Sequence, residues 1–444
     1  MLMRTFLFRC APFLCTLLII GWSPLASAMA DDVWPQWRGP DGQGHADATN
    51  LPVNFDRERH TVWERELPGK GWSSPVVADG KIWMTTAVET EPTEEDLKRA
   101  KEASTGIPLA ISGSVSMRAI CVDWKTGELL HDIELMVEEE PQPIHTLNSY
   151  ASPSPIIEAG RLYCYFGAHG TACLDVGTGQ VLWTNHEIQI AHENGPGSTP
   201  VLWGDHLIVH CDGSDEQYVV AINKTTGKTA WKTARSGELH DNPQFKKSYG
   251  TPIVIELEGK PVLISPGADW LYAYNPNDGH ELWKVGYGEL GFSIVPRPVY
   301  GNGKIFMSTS FMQPRILAID VTSEQPKIAW QVKKQAPTMP SPLLVENRLY
   351  FVSERGIMSC VDAATGEAKW SERLGGNFCS SPLFANGKIY VGNRNGVMFV
   401  LQPGDQFKLL ARNQMDSGIM ASPVALDRSL LIRTEDALVR LQQD

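Results

Sequence analysis

Apolar and polar positions alternate along this chain in short runs, each closed by a turn signal. Residues 339–370, MPSPLLVENRLYFVSERGIMSCVDAATGEAKW, show one full unit. Positions 341–345 read as a first strand, Glu346-Asn347 as a turn and 348–353 as a second strand. A tight turn at Arg355-Gly356 leads to a third strand over 357–362, and Ala364-Thr365-Gly366 turns into a fourth that ends at Trp370. Short strands with turn residues about every ten positions predict an all-β chain.

The unit recurs. A small residue followed by proline precedes the first strand at Ser74-Pro75, Ser154-Pro155, Thr199-Pro200, Thr251-Pro252, Ser341-Pro342, Ser381-Pro382 and Ser422-Pro423. Arg297-Pro298 is the irregular copy. A period of roughly 40–50 residues marks a propeller or solenoid. The end of the unit repeats as CLDVGTGQVLW (173–183), AINKTTGKTAW (221–231), AYNPNDGHELW (273–283) and CVDAATGEAKW (360–370), with a stretched copy at 318–330. Glycine suits the left-handed turn position, and tryptophan is a flat apolar block that can pack between neighbouring units. Trp63, Trp183, Trp231, Trp283, Trp330 and Trp370 are the expected docking residues. The eighth unit stops after its third strand, whereas 61–67, TVWEREL, is a fourth strand without a first. The expected fold is an eight-bladed β-propeller of four-stranded antiparallel blades, closed by an N-terminal strand that leaves no open sheet edge at the seam.

These repeats resemble the pyrroloquinoline-quinone-like (PQQ-like) repeat propellers over about 61–444. That family includes the quinoprotein dehydrogenases and the BamB-like propellers of outer-membrane assembly. The opening VWPQWRGPDGQG (33–44) also looks like the start of a group of exported bacterial propellers without an assigned function. Two functions follow from the resemblance. One is an exported, non-catalytic scaffold that binds a protein or glycan of the cell envelope without a cofactor. The other is a quinoprotein dehydrogenase, which would need PQQ, a calcium ion and a base. No adjacent cysteine pair is present, and no calcium ligand or catalytic aspartate can be placed on matching positions, so the scaffold is preferred and no catalytic residue is assigned.

Composition narrows the partners. A formal net charge of −12 disfavours nucleic acid and anionic lipid surfaces. Residues 1–30 read as a cleaved signal peptide, with Arg4 and Arg9 before a short apolar run and small residues near Ala28, and 31–60 as an N-terminal extension. The residues before Cys15 do not make a lipoprotein cleavage site. A monomeric periplasmic or secreted propeller without a lipid anchor is expected.

In a four-stranded blade, the fourth-to-first connections and the second-to-third hairpins share one face, here termed upper. In three consecutive units this face carries His145 and Asn148, then His192, Glu193 and Asn194, then His240, Asp241 and Asn242, with Asp212 and Asp215 from a hairpin. These form the expected ligand- or partner-binding set at the funnel mouth. No spacing such as HExxH supports a metal site. An insertion at 88–117 in the first blade carries Thr93-Glu94-Glu95-Asp96, which resembles a capping box and predicts a helix over 94–103. Finally, placing a two-residue turn at Ala168-His169 sets Cys164 opposite Cys173, an arrangement compatible with a cross-strand disulfide or with two packed thiols.

Overall fold

Eight sheets each hold four antiparallel strands, successive in the chain in the first seven blades. The computed structural model describes Met1 and residues 33–443, so the leader expected over 1–30 lies, apart from Met1, outside the described residues. Blade 6 has strands Leu343–Val345, Arg348–Val352, Ile357–Asp362 and Ala368–Arg373. Blade 8 has Val424–Leu426, Ser429–Arg433 and Ala437–Gln442. Its fourth strand is Thr61–Glu66, antiparallel to the third with Thr61 opposite Leu441 and Glu66 opposite Ala437. The first blade strand and the last three therefore share one sheet.

The repeated small residue before each proline has a physical role. Its hydroxyl accepts the backbone N–H of the corresponding residue one blade earlier. Ser74 N–H donates to Ser154 Oγ at 2.8 Å, Ser154 to Thr199 at 3.1 Å and Thr199 to Thr251 at 2.9 Å. The belt continues from Arg297 N–H to Ser341 at 2.9 Å, Ser341 to Ser381 at 2.9 Å, Ser381 to Ser422 at 3.0 Å and Ser422 back to Ser74 at 3.0 Å. Proline follows because the next position needs no donor there. The link from Thr251 to residue 297 is missing, since arginine has no hydroxyl.

The end-of-unit motif is likewise explained. In blades 2 to 6 the tryptophan stands opposite the small residue of the third strand, as Cys173 with Trp183 and Ala221 with Trp231, and a bulge follows each such pair. The indole lies on the turn glycine of the next blade. A Cβ on Gly227 would come 2.6 Å from Trp183, and one on Gly366 2.8 Å from Trp330; both glycines have positive φ, 73° and 77°. Trp63, Trp183, Trp330 and Trp370 donate Nε1–H to a turn carbonyl of the next blade, at 3.0, 3.1, 3.2 and 2.9 Å. All six docking tryptophans are partly buried between blades.

The cysteine register differs from the expectation. A 3-10 turn at Gly167–His169 lengthens the hairpin, and Phe166 N–H donates to Gly170 O at 2.9 Å. Cys164 therefore stands opposite Ala172, and Cys173 opposite Tyr163. A one-residue slip sends a side chain to the other face of the sheet. Cys164 packs with Cys121 and Phe166, and Cys173 with Tyr165 and Cys211. Both are free, buried thiols, and burial pushes Cys173 up to about 12.

The N-terminal extension crosses the lower face. Trp34 bridges Val77, and Ile157 N–H donates to Pro35 O at 2.8 Å. His45–Ala46 adds a parallel strand to Leu383–Ala385 of blade 7. Thr49 N–H donates to Asp427 O at 2.8 Å, and the segment then climbs past Asn413 to the closing strand.

In the first blade, the strands Lys81–Glu89 and Val115–Asp123 run further than expected, so the inserted loop proper is 90–114. Its helix spans Glu94–Ala103, with the Thr93 hydroxyl accepting from Asp96 N–H and the Asp96 carboxylate from Thr93 N–H.

Candidate functional site

The upper face opens into a funnel of about 430 Å³. Its wall is chiefly apolar: Trp72 and Leu147 on one side, Phe292, Val295 and Phe311 on another, and Met339, Cys379 and Met420 on the third. Blades 5 to 8 supply most of these through connections that look featureless in sequence, such as GFSIVP and SGIMASP. Ile107, from the blade 1 insertion, also reaches the wall, and Leu109–Ala110 pairs with Ile144–His145 to hold the insertion over this face.

Three of the expected binding residues, His145, Asn148 and Asn194, line the funnel. Each is already engaged. His145 Nδ1 accepts from Leu147 N–H at 3.1 Å, and burial followed by the Arg394 charge holds its imidazole below the ordinary value. Asn148 donates to Asn194 O at 2.7 Å and Pro196 O at 3.1 Å, while its own oxygen accepts from Ser149 N–H and from the Ser152 hydroxyl. Asn194 donates to Tyr249 Oη at 3.0 Å.

His192 and Glu193 sit behind this wall. His192 is buried, its Nε2 accepts from Ala168 N–H at 2.9 Å, and burial takes its pKa down to about 3, with His169 adding to the effect. The ring is therefore neutral. Glu193 forms an ion pair with the buried Lys247 and accepts from Gln244 at 2.8 Å. The 240–242 triplet lies further out and joins the 192–194 loop through this glutamine: His240 Nδ1 accepts from Asn242 N–H, and Asn242 caps Gln244 N–H. Asp241 is exposed.

Asp212 and Asp215 do not reach the funnel wall. Asp212 is buried, with Arg235 Nε at 3.0 Å and His210 Nε2 at 3.1 Å. The same guanidinium reaches Ser265 Oγ at 2.8 Å and lies 4.7 Å from the Tyr272 ring. Asp212 stays below the usual carboxylate range although burial opposes this, because Arg235 and His210 face it. Asp215 accepts from Ala191 N–H at 2.8 Å and so shapes the neighbouring loop. Lys247, Tyr249 and Arg235, the partners that fix this region, carry no local sequence signal. Glu354 is the one carboxylate of the funnel wall among the described residues, and it accepts from Thr338 Oγ1 at 3.1 Å. Among the described residues, no three His, Cys, Asp or Glu side chains come together as a metal-binding group.

Eight radial blades, the hydroxyl belt and the docked tryptophans define a PQQ-like repeat propeller. The chain belongs to the family described as outer membrane protein assembly factor BamB, whose model matches residues 55–234, 168–323 and 267–406. It is 22% identical to BamB of Escherichia coli (strain K12) over 343 residues, which cover 66% of this chain and 84% of that protein. Its likeness to BamB of Legionella pneumophila (strain Paris) is 24% over 205 residues, or 44% of this chain; the chain spans half the length of that relative. Among solved structures, BamB from Moraxella catarrhalis superposes with a TM-score of 0.58 at 15% identity, covering 86% of this chain and 97% of that one.

Proposed function

We propose that this chain is a non-catalytic binding scaffold of the cell envelope that acts in outer-membrane-protein assembly. It would reside in the periplasm and hold an apolar segment of a protein partner in the upper funnel. The observation that carries this reading is the wall itself. Apolar side chains are presented to solvent, whereas Asn148, Asn194 and His145 already have hydrogen-bond partners within the chain. Desolvating such a surface is favourable, and the polar rim gives orientation at little cost. A protein segment fits this wall better than a glycan, which would ask for free polar groups. The BamB relatives are named for the same kind of role.

The quinoprotein alternative needs cations for the cofactor carboxylates and several oxygens converging on calcium. Among the described residues the funnel wall offers one carboxylate, Glu354, and no lysine or arginine. These residues do not fit that cofactor.

The test uses purified protein and labelled peptides of alternating aromatic and polar residues, read by fluorescence anisotropy. Phe311→Lys with Met420→Lys should weaken binding at least tenfold, about 1.4 kcal/mol or more, while the thermal midpoint stays constant. Unchanged binding in that variant, or a bound-quinone absorbance spectrum on adding PQQ and calcium, would overturn the reading.

A further inference from the structure

The lower face holds a second cavity, of about 590 Å³, between the N-terminal extension and the first-strand hairpins of blades 3 to 5. Its walls are mixed: Val201, Leu202, Trp203, Ile253, Ile255 and Tyr300 give the apolar part, and Gln36, Asp41, Gln43, Glu256 and Arg297 the polar part. Arg297 is the one cation among its lining residues, and it is 2% exposed. This is the irregular copy of the belt residue, the position at which hydroxyl bonding around the axis is interrupted.

The guanidinium is incompletely satisfied. Nη1 donates to Trp37 O at 3.1 Å, whereas Nε is buried without a partner and Nη2 makes no hydrogen bond among the described residues. No carboxylate lies within ion-pair distance of it among the described residues. Nη2 is therefore the donor left for a carboxylate oxygen. A second buried guanidinium, Arg38, adds positive charge beside it and is 3% exposed; its Nη2 is taken up by Gln43 O and Pro342 O. Burial disfavours both cations, and the Asp41 charge offsets this only in part and without ion-pair contact to either. The loop is shaped around the cation: Gly42 has φ 69°, and any Cβ there would collide with the Arg297 guanidinium.

We infer that the lower cavity is a binding site for a small organic monocarboxylate with an apolar body, whose carboxylate accepts from Nη2 of Arg297. The size matches a small-molecule site, and the lining sets apolar side chains beside placed polar groups. The rim restricts the charge of the ligand. Asp41 and Glu256 also line the cavity, and the Asp41 carboxylate is turned to Gln43 N–H at 2.8 Å and towards His45 Nδ1 at 3.9 Å. One buried cation flanked by two acidic rim residues suits a single carboxylate attached to an apolar group and repels polyanions. This site lies on the face opposite the funnel and does not depend on the role given to the funnel.

The experiment titrates the purified propeller with 4-phenylbutyrate, with 4-phenylbutyramide and with sulfate at matched ionic strength. Tryptophan fluorescence, to which Trp203 in the wall contributes, reports binding, and the thermal midpoint is followed in parallel. The carboxylate should quench fluorescence and raise the midpoint, and the amide and sulfate should do neither. Arg297→Ser, which supplies the hydroxyl that the belt lacks, should lose the carboxylate response at least tenfold, and Arg297→Lys should fall between. Leu202→Trp, which fills the cavity from its wall, should also abolish the response and serves where the arginine variants fold poorly. Equal responses to acid and amide, an equal response to sulfate, an undiminished response in folded Arg297→Ser or Leu202→Trp, or no response of the wild-type protein to the acid would each overturn the assignment.

Discussion

Replacing the docking tryptophans with phenylalanine separates two contributions that alanine would merge. Trp183 stacks on Gly227 of the next blade and donates Nε1–H to Lys224 O at 3.1 Å. If about 150 Å² of each indole is buried, contact alone is worth about 4 kcal/mol, so Trp183→Ala should cost about 3–5 kcal/mol. Phenylalanine keeps most of the stacking and deletes the donor, leaving the Lys224 carbonyl unpaired, at about 1–2 kcal/mol. Trp231 is the internal control. Its Nε1 is buried without a partner among the described residues, because His206 Nδ1 occupies the equivalent carbonyl, Pro276 O, at 3.3 Å. Trp231→Phe removes an unsatisfied donor and should cost about 1 kcal/mol less than Trp183→Phe, Trp330→Phe or Trp370→Phe. Equilibrium urea unfolding followed by far-ultraviolet circular dichroism, with comparable slopes across the set, measures the difference. If Trp231→Phe is as costly as the other three, the indole hydrogen bond is not what distinguishes these positions, and the account of blade docking is incorrect.

Other outcomes follow from the same geometry. Deleting residues through Leu67 removes the fourth strand of blade 8 and should give an aggregating or far less stable protein; an unchanged cooperative transition would contradict closure through this strand. All six cysteines from Cys121 onward should take up alkylating reagent in denaturant without reductant, and a Cys164–Cys173 linked peptide would refute the observed register. His192 has its folded pKa lowered to about 3, so its contribution is complete above the unfolded value near 6.5 and declines as pH falls towards 3. Wild-type folding should lose about a factor of ten in its equilibrium constant per pH unit in that window, relative to His192→Asn, and parallel pH profiles would refute a neutral buried ring.

Architecture was legible in the sequence because its signals are periodic and physical. The proline step, the turn glycine and the tryptophan each recur, and each has a contact that requires it. The cysteine register was not legible, since it depends on whether Gly167–His169 makes a two-residue turn or a 3-10 turn, and short glycine-containing stretches permit both. The funnel was partly legible. His145, Asn148 and Asn194 stand out as polar residues in loops, and they do line it. Asp212 has the same outward signal, yet Arg235, distant in the repeat pattern, claims it. The apolar wall escaped notice because single Phe, Val and Met residues in connections carry no pattern until the blades gather them. Arg297 was visible only as a defect in the repeat, and the reason for the defect lies in Trp37 and Gly42, more than two hundred residues away.

Closure through the first strand imposes an order on synthesis. Residues 61–66 are made before any other blade strand, but their sheet partner among the described residues, Ala437–Gln442, follows every other blade strand. The extension ahead of them also waits, because its anchors lie on blades 5 to 8 as well as on blades 1 and 2. While the intervening blades are made the chain therefore carries an unpaired strand and an unplaced tether, and contacts of such long sequence separation form slowly. The ring can lock only once Ala437–Gln442 has been made, which gives any factor that handles the nascent chain a defined, extended segment to hold until then.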